Sequence, residues 1–466
     1  MKFRVIFILF YGLFLFVNIG FCTPGKLSGE QVLTLSLEQA ITLAQQQNRG
    51  LISSSNTVET SRLSLKDAWS DFDVKWAPST SAGITDGDSS VDAGITLKRK
   101  LHYGTTLSLT PGIGKTSGEY SGSVSLGLTM PLLKGFGTDT NLSDVKSSEF
   151  NLRTSLRNDY ITRVNAVLAA VYYFYKLLEL KDLVGLYGAQ VTSMKAYAAG
   201  SKVKKSAGLA TPMDVFRAEI LLKDVEDDLA LTLTLLSDAR EDFKNLLSLP
   251  PDTVLDVKGE RIVPPIEINL EDAIDSALSH RVEIEQGDDA IREAIRASEI
   301  AKDNLQPQLD LTVEYERYAN SESFGGITDL DDDIFTINFV STTDWARASE
   351  KIAYQKSLIN VRNARINLDT QKDLVVNEVK QYYRALLQNQ ERMQIRKDQI
   401  DKAKGKLKLS QIKYKYEMAD NFDVIESEKQ IQDAQVNFYT AQTDYIVGMY
   451  RLEAAMGTLI NKDRDQ

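Results

Sequence analysis

Residues able to carry covalent, metal or acid–base chemistry are sparse in this 466-residue chain. His102 and His280 are the only histidines, one in turn-prone sequence and one at the end of a short helical pattern, with no metal-ligand spacing between them. Cys22 is the single cysteine, so no intramolecular disulfide can form and thiol catalysis has no setting. No GxSxG elbow, HExxH helix or P-loop occurs. The acids that stand out are Asp214, directly before Val215, and Asp423, directly before Val424, each at the start of a long helical pattern. A carboxylate there satisfies free backbone N–H groups at a helix start. The chemistry expected is electrostatic, and the sequence reads as a non-enzyme without a cofactor.

The elements that position these acids occur twice. Val215, Leu222, Leu229, Leu236 and Phe243 recur every seven residues, with Ala218, Val225, Thr232, Ala239 and Leu246 three residues behind. An offset of 209 gives Val424, Ile431, Phe438, Tyr445 and Leu452, with Ser427, Ala434, Ala441, Gly448 and Ala455 behind them. Two helices in one heptad phase follow. Each is preceded by a break, Gly208 to Val215 and Glu417 to Val424, and each break by another long periodic run, from Asn151 and from Leu358. The spacing predicts two long helical hairpins, a repeat of about half the chain.

The repeat starts earlier still. Leu37, Ala40, Ile41 and Ala44, after a capping Ser36, match Leu270, Ala273, Ile274 and Ala277. Helices from Leu51 and Val282 then give way near Pro78 and Pro307 to alternating patterns, as in Leu309, Leu311, Val313 and Tyr315. Phe335, Ile337 and Phe339 match Leu126, Leu128 and Met130, so each repeat carries two principal strands. In the first repeat Val91 to Leu97 and Thr105 to Pro111 are also strand-like, an extra hairpin whose place in the sheet the pattern leaves open.

The divisions expected are a leader at 1–22, helical segments at 23–75 and 269–306, and strands at 76–131 and 307–341. Long hairpins occupy 132–250 and 342–459, a connector 251–268 and a tail 460–466. Lys2 and Arg4 precede the apolar run Val5 to Val17, and Gly20 and Cys22 supply small residues before a cut, the pattern of a secretory signal peptide. No later stretch is long and apolar enough for a membrane helix, so an exported chain of this kind is either soluble or crosses an outer membrane by strands. A net charge of -11 disfavours nucleic acid as a partner. Four strands cannot close a barrel, whereas three chains supply twelve strands and a ring of twelve helices. An alternative that fits the same periodicity is a non-conductive trimeric coiled-coil structural or adhesion protein.

The chain resembles the TolC family of outer-membrane efflux and secretion channels. The matches are Leu35-x-Leu37-Glu-Gln-Ala-Ile41 with Leu270-Glu-Asp-Ala-Ile274, the passage Leu128-Thr-Met-Pro-Leu-Leu-Lys-Gly-Phe-Gly137, the turns Gly208 to Val215 and Met418 to Val424, and the closing Arg451-Leu-Glu-Ala-Ala-Met-Gly-Thr-Leu459. The resemblance implies an α+β protomer with four strands and two duplicated helical hairpins. In a homotrimer these make an outer-membrane β-barrel continuous with a periplasmic α-helical barrel. It also implies a periplasmic adaptor (membrane fusion) protein, an inner-membrane RND or ABC transporter and outer-membrane lipid as partners.

On the family's pattern Asp423 and Glu426 ring the periplasmic entrance, with glutamate at 426 where aspartate is usual. Threefold symmetry turns each into three like charges, which concentrate cations. Gly208, Pro212, Asp214, Asp420 and Asn421 mark the hairpin tips and adaptor contacts, although they also serve simply to connect helices. Position 419 is alanine where the family often carries a basic latch, which leaves Lys204, Arg217, Lys413 and Lys415 as salt-bridge partners for the closed state. Trp69 and Trp76 fit either a membrane interface or packing at the helix-to-strand junction.

Overall fold

The computed structural model describes residues 32–85, 88–344, 346–416, 418–419 and 421–462. The leader reading, Cys22 and Asp420 fall outside them. Each repeat opens with a capped short helix. Ser36 caps α1 (Leu37–Gln47) in a capping box with Gln39, and Asn48 then caps α2 (Arg49–Ser70) while its Nδ2 donates to Leu246 O at 2.8 Å. In the second repeat Asn269 caps α6 (Leu270–His280), which leads into α7 (Val282–Asp303). A two-stranded parallel ladder, β1 (Leu33–Leu35) with β6 (Leu255–Val257), ties the start of repeat one to the connector between the repeats.

One antiparallel sheet contains β2 (Lys75–Thr85), β3 (Asp88–Lys100), β4 (Thr106–Thr116), β5 (Glu119–Pro131), β7 (Asp310–Ser321) and β8 (Asp332–Val340), in that order. The expected count of four strands per chain is therefore corrected to six. The hairpin β3–β4 is inserted between β2 and β5 in continuous register. The physical reason lies in its alternation, which matches that of its neighbours. Residues directly opposite across a ladder share a face, so Trp76, Leu97, Leu109, Leu126, Tyr315 and Phe335 fall on one side. The other side carries Ser81, Asp92, Gly114, Ser121 and Asn320 at one level and is mostly small or polar, with Tyr318, Ile334 and Val340 as exceptions toward repeat two. The apolar side is not covered: Trp76 is 70% and Phe339 68% exposed.

The sheet returns to helix through α3 (Thr138–Asn141) and α4 (Ser143–Ser206), which folds back as α5 (Pro212–Leu246). The second hairpin is α8 (Ala348–Lys415) and α9 (Asn421–Ala455). At 64 and 68 residues, α4 and α8 run about 96 and 102 Å at 1.5 Å per residue. They pack in the lateral order α5, α4, α9, α8. The heptad files form the seams: Val215, Ala218, Val225, Leu236 and Phe243 are buried on α5, as are Val424, Ala434, Ala441, Tyr445 and Leu452 on α9. The main core lies where the short helices and connector wrap the long ones, around Ala40, Ala44, Val171, Phe174, Phe243, Val257, Ala273, Val379 and Tyr445. Tyr445 reaches the connector there, its hydroxyl donating to Pro264 O at 2.6 Å.

Candidate functional site

The tips of the two hairpins meet, and the first is built to be rigid. Leu209 N–H donates back to Lys204 O at 2.8 Å, closing α4 around Gly208, whose φ of 76° lies in the left-handed region that glycine adopts without strain. Thr211 caps α5 and Pro212 fills its first turn. Asp214 accepts from the Thr211 hydroxyl at 2.7 Å and its backbone N–H at 2.8 Å, and these bonds hold its carboxyl below the ordinary aspartate range. This aspartate is engaged as the reciprocal half of a capping box.

The second tip carries the acids. Met418 N–H donates to Lys413 O at 2.8 Å where α8 ends, and α9 begins at Asn421. Asp423 lies exposed in the first turn of α9, and its backbone carbonyl accepts from Ser427 Oγ at 2.6 Å. Glu426 follows on the same face. Its Oε1 accepts from Gln430 Nε2 at 3.0 Å and lies 3.8 Å from Lys406 Nζ, which in turn donates to Gln430 Oε1 at 2.9 Å. Beneath the acids, Ser410 and Ser427 hydroxyls meet at 3.0 Å in a buried contact that pins α8 to α9.

The basic residues expected to latch the tips sit differently from simple salt bridges. Lys204 lies 3.6 Å from the Tyr414 ring centroid, joining the first hairpin to the second, and Arg217 lies 5.2 Å from that of Phe422. Lys413 and Lys415 are exposed and pair with no acid among the described residues. One turn farther from the tip, Tyr197 OH donates to Glu428 Oε1 at 3.3 Å between α4 and α9. Burial pushes the Glu428 carboxyl up, an effect the tyrosine only partly offsets. Sequence reasoning did not single out Lys406, Tyr414, Phe422 or Glu428. Only Ser427 left a signal, as the polar member of the file continued by Ala434 and Ala441.

At the opposite end Trp69 packs edge-on against Phe72 and His102, with ring centroids 6.1 and 5.9 Å away, while Trp76 projects from the apolar face of β2. No group of histidines, cysteines and acids suited to a metal ion occurs among the described residues.

Residues 273–458 match the model of the outer membrane efflux protein family. No curated protein matches the chain. Among solved structures, the Campylobacter jejuni CmeC outer membrane channel is similar with a TM-score of 0.72 and 14% identity, covering 92% of this chain and 87% of that one. The outer-membrane channel OprN gives 0.71 at 15% identity, over 91% and 90%. The Vibrio cholerae outer membrane protein VceC gives 0.71 at 14%, over 90% and 96%. The chain thus has the fold of the TolC-like outer-membrane channels, and its second repeat carries the sequence signature of the outer membrane efflux protein family.

Proposed function

We propose that three copies of this chain form an outer-membrane conduit. It carries small molecules or polypeptides outward as part of a tripartite efflux pump or type I secretion system. The observation that carries this reading is that both layers of the protomer stop at open edges on the same two sides. Repeat one ends the sheet at β2 and the helical layer at α5; repeat two ends them at β8 and α8. A surface whose two sides differ joins head to tail, and such contacts close into a ring when the rotation from copy to copy completes a full turn, as three copies about a threefold axis do. The bare apolar face of the sheet suits lipid, and the polar face suits a water-filled lumen.

In the helical ring α9 presents Asp423 and Glu426 near its end, and threefold repetition makes two tiers of carboxylates that attract cations at the entrance. The rigid Gly208–Pro212 turn and the exposed Met418 suit docking by a periplasmic adaptor, with energy supplied by an inner-membrane RND or ABC transporter. Electron microscopy of the purified oligomer and conductance in planar bilayers test the reading together. The expected outcome is a threefold tube with a continuous lumen and single-channel currents. A solid, non-conducting stalk overturns it in favour of a structural or adhesion role.

A further inference from the structure

We infer that the membrane barrel closes with eighteen strands, six from each of three copies, giving an outer exit wider than a twelve-stranded barrel provides. This rests on the trimeric conduit proposed above. The first support is membership of the extra hairpin in the sheet. Strand β3 pairs with β2 from Lys75↔Lys98 to Thr85↔Asp88, and β4 with β5 from Thr106↔Thr129 to Thr116↔Glu119. Both added strands carry the lipid-type face, with Val91, Ile95 and Leu97 on β3 and Leu107, Leu109 and Ile113 on β4. A hairpin standing in water at the barrel mouth has no need of that alternation.

The second support is anchorage. The β3–β4 turn is held by the helices below the sheet: His102 packs edge-on against Phe72, ring centroids 5.0 Å apart, and Tyr103 O accepts from Gly137 N–H at 3.2 Å. Gly104, at φ 95°, fits so closely that a Cβ there would lie 2.8 Å from Gly135 O and 2.9 Å from Pro131 Cγ. The hairpin is therefore fixed at its base between its neighbours.

The third support is geometric fit between the two layers. Strands about 4.8 Å apart and tilted by about 40° each occupy roughly 6.3 Å of circumference, so six span about 38 Å and four only about 25 Å. The four helices that adjoin the sheet, α2, α4, α7 and α8, at about 9 Å each, span roughly 36 Å. Six strands thus match the arc of the helices they continue into. Strand direction also closes properly. Consecutive strands of the sheet alternate in direction, so β8 and the β2 of a neighbouring copy meet antiparallel, and every edge N–H and C=O in the membrane gains a partner. Barrel width grows roughly linearly with strand number, so the bore is about half again that of twelve strands.

A strand-resolving cryo-electron microscopy map of the full chain in lipid nanodiscs decides the point. The expected map has eighteen strands, with β2 beside the β8 of the next copy. A threefold tube with a twelve-stranded barrel and β3–β4 lying outside it overturns this inference while leaving the conduit standing. Absence of any threefold tube removes both. Disulfide trapping in a Cys22→Ser background gives a second readout. Thr106→Cys with Thr129→Cys should cross-link within one chain, and Ser81→Cys paired in turn with Thr336→Cys and Asn338→Cys should yield covalent trimers from at least one pair. Failure of the first pair to oxidise in assembled trimers places β4 away from β5 and rejects the eighteen-stranded barrel.

Discussion

Arg157 Nη2 donates to Asp289 Oδ2 at 2.6 Å, joining α4 to α7, and the same carboxylate oxygen accepts from Arg153 Nε at 3.0 Å. Arg292 pairs with the other oxygen. Burial alone raises the Asp289 carboxyl, but the bonds from Arg292, Arg157 and Arg153 outweigh it and hold it down to about 2. The side chain is only 3% exposed, so water cannot take over the arginines' role. Asp289→Asn should cost about 2–3 kcal/mol at pH 7, the worth of a carboxyl held from 3.8 down to about 2 at about 1.4 kcal/mol per pH unit. Glu285, 3.8 Å from Arg157, still balances part of that arginine's charge. A depressed carboxylate pKa contributes stability that is present above the unfolded value near 3.8 and is lost as pH falls toward 2. Thermal unfolding followed by circular dichroism should therefore separate wild type from Asp289→Asn widely at pH 7, with the gap closing between about pH 4 and 2. An equal gap across that range would show that packing rather than charge makes the contact.

Glu428 has the opposite sign. Its carboxyl is raised by burial against α4, with Tyr197 as its donor. A raised acid stabilises the fold below its unfolded pKa, near 4.5, and loses that contribution as pH climbs through the folded value. Glu428→Gln keeps an acceptor for Tyr197 and carries no charge. It should unfold at a higher temperature than wild type at pH 7, and the gain should vanish below about pH 4. Destabilisation at neutral pH would mean that the carboxylate is held ionised by groups beyond Tyr197.

The edges of the helical layer make a prediction about assembly. On α8, Ile352, Ile359 and Ile366 recur every seven residues and are 52%, 52% and 54% exposed, a heptad file with no partner in its own chain. On α2, which flanks α4 at the height where α7 flanks α8, Ile52 and Leu63 are similarly bare. Ile359→Glu leaves the protomer's core untouched but places a charge in the seam between copies. The trimer fraction should fall roughly tenfold or more, since burying an unpaired charge costs several kcal/mol and about 1.4 kcal/mol is a factor of ten. Helicity by circular dichroism should hold. Sedimentation showing undiminished trimer would place this file on the lumen or the outer wall.

Much of the fold was legible because period 3.5 and period 2 are local signals. The seam residues Val215, Ala218, Val424 and Ala434 are buried as their spacing requires, and Ser36 caps the helix it precedes. Membership of β3 and β4 in the sheet was not legible, although their alternation was. Joining a sheet is a non-local matter, decided by the Thr106↔Thr129 and Lys75↔Lys98 registers and by a turn seated against Gly135 and Pro131. The short β1–β6 ladder went unread for the same reason: three residues from each end of repeat one pair across more than two hundred positions. At the tip the acids were visible, but their surroundings depend on contacts between hairpins. No spacing within α4 or α8 foretells that Lys204 will settle over Tyr414.

The entrance acids carry the last prediction. Asp423 and Glu426 share one face of α9, and Lys406 approaches Glu426 from α8 at 3.8 Å, partly offsetting its charge. Threefold repetition would place six carboxylates and three ammonium groups around one opening if the tube assembles as proposed. Asp423→Asn with Glu426→Gln should lower the cation-to-anion permeability ratio severalfold, on the order of the three- to tenfold expected when a few kT of local potential is reduced. Lys406→Gln should raise the ratio, because it removes the offsetting charge while leaving the Glu426–Gln430 bond in place. Both effects should shrink as salt rises from about 0.1 M to 1 M and the Debye length falls from about 10 Å to 3 Å. Reversal potentials measured in planar bilayers under a potassium chloride gradient read all three changes. If the double variant keeps wild-type selectivity while Lys406→Gln also has no effect, the constriction that selects ions lies elsewhere in the tube and these acids serve the start of α9 alone.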